Sequence, residues 1–176
     1  MKRRFALLIG MVVCLSFSVQ AQEAPKAEVF GGFSVLSADI GDNREEAIGW
    51  QASVAGNLHR NVGLKGDFGG AYKTLETPFG DVKVKAHAFL FGPQFTARSA
   101  KANGFFHFLV GGVNLRAAGE STNGFALGIG GGVDVNAGER VALRIVQIDW
   151  IPSRFEGEWT QDAVRFGFGI VFKAGQ

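Results

Sequence analysis

The last strand-like stretch of the chain constrains the fold more than any other feature. Between Arg165 and Phe172 bulky and small residues alternate, and a period of two is the signature of a β-strand. One face carries Phe166, Phe168, Ile170 and Phe172, and the other carries mostly glycine. A soluble sandwich would instead pair a bulky inner face with a charged outer one. The pattern therefore favours a closed barrel with lipid outside and a narrow, filled interior.

The first 21 residues have the organisation of a cleaved signal peptide. Lys2, Arg3 and Arg4 form a basic start, residues 5–17 are apolar, and 19–21 supply the small residues of a cleavage site after Ala21. The apolar run is too short for a membrane-spanning helix, which needs roughly 20 residues. We therefore predict a signal peptide at 1–21 and one domain at 22–176.

Composition excludes several kinds of site from the predicted mature chain. The single cysteine lies in the signal peptide, so no disulfide, thiol nucleophile or cysteine metal site is available after cleavage. The formal net charge is +2, and loss of the three leading cations takes it to −1, so the basic balance is no argument for nucleic acid. Of the 26 glycines, all but Gly10 lie in the predicted mature chain, where they are about twice the usual share and occur inside alternating segments, as crowded strands with small inward positions require.

The alternation recurs along the whole mature chain. We predict eight strands, at residues 28–36, 49–58, 62–72, 82–98, 105–115, 125–135, 141–151 and 165–172. The connections between them alternate between long and short, with long ones at 37–46, 73–81, 116–123 and 152–161. Outer-membrane barrels have short periplasmic turns and longer extracellular loops, so both termini are expected in the periplasm.

Two strands depart from regular alternation. Pro93 lacks a ladder donor, which predicts a bulge or a position near the rim. In the seventh strand the polar residues Arg144, Gln147 and Asp149 do not share one parity. A bulge near Ile145 and Val146 would bring all three to the inner face.

Few charges occupy the smaller, inward face, among many glycine, alanine and serine residues. The predicted polar network of the lumen comprises Lys65, Asp67, Asp134, Arg144, Gln147, Asp149 and Arg165. This face is too sparse in charge for a solvated surface, which disfavours a soluble lipocalin-like barrel. The network could gate ions or neutralise itself as a polar core. The polar core is favoured because eight strands leave an interior just filled by side chains.

No residue pattern predicts catalysis, a cofactor or a metal site. His59, His87 and His107 lack the spacing of metal ligands. Outer-membrane lipid A deacylases carry a serine two residues after their histidine, and neither His87 nor His107 is followed by one. We interpret His107 as a hydrogen-bonding residue of the lumen. The glycine run at 128–132 is not followed by a helix pattern, so it does not indicate a phosphate-binding loop.

The end of the chain resembles the terminal assembly signal of bacterial outer-membrane barrels, through Arg165, Gly167, Ile170 and Phe172. Together with segments 89–93, 130–134 and 146–149, it makes the mature chain similar to the OmpA-like family of small outer-membrane proteins. The resemblance implies an all-β, eight-stranded, antiparallel up-and-down transmembrane barrel in the outer membrane of a Gram-negative cell. No peptidoglycan-binding domain is expected after the barrel.

The expected role is structural or surface-interacting, exerted through the long extracellular loops. The resemblance implies contacts with outer-membrane lipid, lipopolysaccharide, the barrel assembly machinery and periplasmic chaperones. A monomer without cofactor or nucleic acid is expected. The alternatives are a small porin-like transport barrel, a periplasmic lipocalin-like carrier and a lipid-modifying enzyme.

Overall fold

The computed structural model describes residues 24–40, 43–77, 80–155, 157–160 and 163–175. The predicted signal peptide lies outside this part of the chain. The strands are β1 (Ala27–Ile40), β2 (Asn43–His59), β3 (Val62–Thr77), β4 (Gly80–Arg98), β5 (Ala102–Ala117), β6 (Glu120–Asn136), β7 (Val141–Trp150), β8 (Ser153–Phe155), β9 (Glu158–Thr160) and β10 (Val164–Ala174). Within the described ranges, no helix has the length and apolarity needed to cross a membrane.

Eight of these strands close into a ring. Each of β1 to β7 pairs antiparallel with its neighbour in sequence, and β10 closes the circle between β7 and β1. Phe33 shows the continuity, since it lies opposite Trp50 on one side and Phe168 on the other. The predicted eight-stranded antiparallel up-and-down fold is confirmed. The remaining two strands form a small hairpin, and β8 pairs with β6 at Phe125, beyond the end of β7.

The predicted long connections are largely wrong, because the strands run on through them. The β1–β2 ladder continues to residues 40 and 43, and the β3–β4 ladder to residues 77 and 80. Between β5 and β6 only Ala118 and Gly119 remain as a turn, both with positive φ. The fourth connection contains the β8–β9 hairpin. The polar residues in these segments indicate exposure to water rather than a lack of strand pairing. We call this side of the barrel the hairpin end, and the opposite side the turn end.

The side chains of the barrel wall are arranged oppositely to those of a soluble protein, with apolar groups outside and charged groups inside. Large apolar residues face outward, and Phe33 is 66% and Phe91 56% exposed. Lys65 and Asp67, between outward-facing Leu64 and Phe68, are fully buried. Near the hairpin end, the outward Trp50 indole donates a hydrogen bond to the Tyr72 hydroxyl at 3.2 Å. The alternation in the sequence thus sorts apolar groups to the outside and charges to the inside.

The two irregularities have different outcomes. In β7 the register shifts at Ile145, and Arg144, Gln147 and Asp149 are all buried, so the predicted bulge is confirmed. At Pro93 the β4 register continues unchanged, so a bulge there is wrong. Pro93 lies opposite Leu64, near the start of β3, which is the predicted position near the rim.

Candidate functional site

Most buried charges of the barrel interior form one connected group, which we call the charged cluster. The structure buries each residue of the predicted lumen network: Lys65, Asp67, Asp134, Arg144, Gln147, Asp149 and Arg165. It adds Gln51, and it also buries His107, which the sequence placed in the lumen. The cluster spans the interior because its members come from strands on different sides of the ring.

Arg165 holds two carboxylates together at the centre of this cluster. Its Nη2 donates to Asp67 Oδ1 at 2.7 Å and to Asp149 Oδ2 at 2.6 Å, and its Nε donates to Asp149 Oδ2 at 3.0 Å. Asp67 lies on β3 and Arg165 on β10, with β1 and β2 between them in the ring. The pair therefore crosses the interior and connects walls that share no ladder. Gln51 donates a further bond to Asp67 at 2.8 Å.

Lys65, His107 and Asp149 form a second path through the same cluster. Lys65 Nζ lies 3.2 Å from Asp67 Oδ2 and 3.4 Å from His107 Nδ1. Since an ammonium group only donates, Nδ1 accepts, and the proton of a neutral imidazole is on Nε2. That nitrogen lies 3.0 Å from Asp149 Oδ1, but the angles of a hydrogen bond are not met, and neither of these two buried atoms has a hydrogen-bond partner in the described part of the chain. The imidazole also stacks on Phe105 at 5.9 Å between ring centroids.

Arg144 ties the bulged strand to its neighbours. Its Nε and Nη2 donate to the two oxygens of Asp134 at 2.8 and 3.0 Å, and its Nη1 donates to Gln147 Oε1 at 2.6 Å. The guanidinium lies 4.2 Å from the ring centroids of Phe30 and of Phe105. Bidentate pairing and stacking on aromatic faces both suit a buried guanidinium. The bulge makes this possible because it points Arg144 and Gln147 inward together.

A separate buried ion pair lies at the turn end and was missed by the sequence analysis. Arg98 Nη1 donates to Glu28 Oε1 at 2.6 Å, and its Nε donates to the Arg60 carbonyl at 2.9 Å. Both side chains are buried. The signal was present: Glu28 has the parity of inward Phe30, and Arg98 has that of inward Gln94.

The interior toward the hairpin end is apolar instead. The apolar cluster consists of Leu90, Leu109, Ala126 and Ile151, with Val113 and Ala163 packed against it. Beside it is a cavity of about 70 Å³, walled mainly by small side chains such as Ala86 and Ala88 and reaching Arg165. Charged cluster and apolar cluster both occupy the barrel interior, which in an eight-stranded barrel is just wide enough to be filled by side chains.

The buried charges balance and are paired. Among the described residues, four are basic (Lys65, Arg98, Arg144 and Arg165) and four are acidic (Glu28, Asp67, Asp134 and Asp149). Each contributes to an ion pair within 4 Å. In the described part of the chain no three His, Cys, Asp or Glu side chains are grouped to hold a metal ion. The chemistry of this interior is therefore mutual neutralisation and cross-bracing of the wall.

The four residues of the assembly-signal pattern divide between the two faces of β10. Arg165 and Gly167 point inward and are buried, whereas Ile170 and Phe172 point outward and are exposed. A Cβ at Gly167 would lie 2.5 Å from Gln51 Oε1, so a larger side chain would disturb the interior. Arg165 and Gly167 thus have a packing role in the folded barrel, whatever role they have in assembly.

No family model and no curated protein matches the sequence. Several solved structures share its fold. Ail, the attachment invasion locus protein of Yersinia pestis, is 14% identical, with a TM-score of 0.56 over 85% of this chain and all of Ail. Neisserial surface protein A is 11% identical, with a TM-score of 0.64 over 86% and 99%.

The N-terminal β-barrel domain of Pseudomonas aeruginosa OprF is 12% identical, with a TM-score of 0.51 over 85% of this chain and all of that domain. At such identities the likeness is one of fold. The chain is accordingly similar to small outer-membrane proteins in its architecture: a closed, eight-stranded, antiparallel barrel.

Proposed function

We propose that this protein is an integral outer-membrane β-barrel with a sealed interior, and that it has a structural or surface-interaction role exerted at the hairpin end. The observation that carries the proposal is the inverted sorting of side chains. Phenylalanine, valine and isoleucine cover the outside of the ring, while eight formal charges are buried within it.

The inverted sorting is favourable in only one kind of solvent. Exposed apolar area costs about 25 cal/mol per Å² in water, and soluble monomers rarely expose contiguous apolar patches beyond a few hundred Å². Here outward apolar side chains occur on every strand of the ring, from Val29 on β1 to Phe172 on β10. A hydrocarbon surround removes this cost, and ring closure leaves no unpaired backbone within it. A soluble lipocalin-like carrier is therefore disfavoured.

The surface role is assigned to the hairpin end because the wall there continues as three polar hairpins. These are the outer parts of β1–β2, β3–β4 and β5–β6. Lys73 on one hairpin and Glu45 on another form an ion pair at 2.8 Å, which braces them. The surface offered to a partner is thus built from paired strands. The short turns and both described ends of the chain share the opposite side, which we assign to the periplasm.

The architecture is tested by the electrophoretic mobility of the membrane-extracted protein, boiled and unboiled in SDS. We expect a faster-migrating unboiled band and recovery in the outer-membrane fraction, because a closed hydrogen-bonded ladder resists SDS until heated. A soluble periplasmic protein without a mobility shift would overturn the proposal and favour a carrier.

The sealed interior is tested by conductance across planar bilayers. Wild-type protein should show no stable open channel, because paired side chains occupy the lumen. Arg144→Ala should lower stability but still conduct poorly, since the Asp67–Arg165–Asp149 bridge continues to cross the interior. A large rise in conductance with little loss of stability would favour a porin-like role and a gating function for the charged cluster.

Access argues against catalysis by the buried pair of His107 and Asp149. His107 and Asp149 are at most 1% exposed, so no substrate reaches them in this conformation. Lipid A from cells with and without the protein should have the same mass spectrum. A deacylated or otherwise modified species that depends on the protein would overturn the non-enzymatic assignment.

A further inference from the structure

Two cations face each other across the outer surface of the barrel near the hairpin end. Lys85 on β4 lies directly opposite Arg116 on β5, and both side chains are exposed. Directly opposite residues have Cβ atoms roughly 4.5–5.5 Å apart, and like charges in such a pair destabilise the sheet. Lys83, which precedes Lys85 by two residues on β4 and is also exposed, extends the same outward face. We call these three residues the cationic patch.

The residues directly opposite the patch on the neighbouring strands carry no counter-charge. The residue opposite Lys85 on β3 is Tyr72, the one opposite Lys83 is Thr74, and the one opposite Arg116 on β6 is Ser121. The acidic residues Asp81 and Glu76 lie opposite each other beyond Lys83, toward the hairpin tip. No ion pair of the described residues involves the three cations. Lys73, one position along from Tyr72, does have a partner, in Glu45.

The aromatic residues beside the patch indicate its position along the barrel axis relative to the membrane. Tyr72 accepts a hydrogen bond from Trp50, and its hydroxyl lies 3.3 Å from His87 Nε2. Aromatic side chains with a polar end are enriched at the boundary between hydrocarbon and headgroups. Lys85 is the next outward residue after His87, on the side away from the apolar wall. The patch therefore lies at headgroup level.

Neighbouring polar side chains can add hydrogen bonds. Asn114 Nδ2 donates to Ser121 Oγ and to Asn123 Oδ1, both at 2.8 Å. Both partners accept in these bonds, which leaves the Ser121 hydroxyl proton and the Asn123 amide group available to donate elsewhere. Donors and cations thus share one outward surface, whose natural complement is an oxyanion with several acceptor oxygens.

We propose that the cationic patch binds the phosphate groups of a phosphorylated glycolipid in the surrounding outer leaflet. The proposal rests on the proposed function, because the patch is at headgroup level only if the apolar wall is in a membrane. Arg116 can engage two phosphate oxygens at once, and the two lysines add point charges. A bound phosphate also removes the repulsion between Lys85 and Arg116.

The test uses the full mature barrel in three kinds of vesicle. The first contains phosphatidylcholine alone, the second adds lipid A with both of its phosphates, and the third adds dephosphorylated lipid A instead. The readout is the thermal midpoint at which the SDS-resistant band disappears. We expect phosphorylated lipid A to raise the midpoint of the wild type by roughly 5 °C, because each cation that meets an anionic headgroup adds to the stability of the folded barrel. Lys85→Gln/Arg116→Gln should lose most of this rise and be no less stable than wild type in phosphatidylcholine alone.

The matched control is Lys26→Gln/Lys101→Gln, which removes two exposed cations from the turn end. It should keep the full lipid A effect. An equal rise with dephosphorylated lipid A, an equal rise with free inorganic phosphate, or an unchanged rise in the patch variant would each overturn the proposal. Failure of the wild type to give an SDS-resistant band in any vesicle would instead overturn the proposed function, so the two failures are distinguishable.

Discussion

The charged cluster and the apolar cluster lie in the same barrel and are equally buried, yet they are held by different forces. Arg165, Asp67 and Asp149 are joined by directional bonds of 2.6 to 3.0 Å, each of which depends on the others. Leu90, Leu109 and Ile151 are held by close packing alone. The charged cluster connects opposite walls of the ring, and the apolar cluster fills the space between them. The structural effect of removing one charge should therefore extend through the charged cluster, whereas the effect of removing apolar groups should remain confined to their immediate neighbours.

The largest expected effect is that of Arg165→Met, which leaves Asp67 and Asp149 buried without their shared cation. We expect the free energy of unfolding to fall by about 3–5 kcal/mol, as when one partner of a buried pair is removed. Urea titration of refolded protein in vesicles measures it, independently of any assembly role in cells. Lys101→Met, at an exposed turn, should change stability by no more than about 0.5 kcal/mol. A loss below about 1 kcal/mol for Arg165→Met would mean that the bridge is dispensable.

The next expected effect is that of Leu109→Ala in the apolar cluster. Leu109 is fully buried, and its truncation should cost about 2–4 kcal/mol through lost contacts and a residual cavity. The same urea titration measures the change. Leu109→Met keeps the volume and should cost less than about 1.5 kcal/mol. Equal losses for the two variants would show that packing is not what this cluster contributes.

A smaller effect is expected for His107→Phe, which keeps the stacking on Phe105 and removes both ring nitrogens. Asp149 Oδ1 then loses the imidazole nitrogen that lies 3.0 Å away, at a cost of about 1–3 kcal/mol. His107→Gln restores a donor and should recover part of this loss. If the phenylalanine variant is as stable as the wild type, the 3.0 Å contact between His107 and Asp149 contributes nothing, and the charged cluster is less interdependent than its geometry indicates.

The smallest effect is expected outside both clusters, at the ion pair between Lys73 and Glu45. Each side chain is 31% exposed, so solvent screens the pair. Glu45→Gln should change the free energy of unfolding by at most about 0.5 kcal/mol, and less at high salt. A loss comparable with that of the buried variants would contradict the view that burial is what makes the charged cluster strong.

The sequence was sufficient for the barrel and for the direction of most side chains, because a period of two encodes both. Lys65 and Asp67 could be assigned inward from the parity of Leu64 and Phe68, and the bulge at Ile145 from the broken parity around it. Which charges pair was not predictable. Asp67 and Arg165 are 98 residues apart, and their contact depends on strand tilt, which no local pattern records.

The outer parts of the hairpins were misread for a related reason. The run 37–46 is mostly polar, and its described residues Arg44 and Glu46 are exposed, so the apolar alternation that marks a half-buried strand is absent there. Backbone pairing continues regardless. Glu28 and Arg98 were missed although their parity pointed inward, because each lies at the very end of a strand where a polar residue is unremarkable.

The bulge in β7 has a consequence for how such a chain can vary in length. It inserts one residue between Arg144 and Gln147, so that both reach the interior from a single strand. Deleting Ile145 would restore a regular ladder but turn either Arg144 or the pair Gln147 and Asp149 toward lipid. A single-codon insertion or deletion should therefore be lethal to the fold in β7. At the hairpin tips the same change would alter only the length of the hairpin, so the sequence there can vary in length without disturbing the barrel.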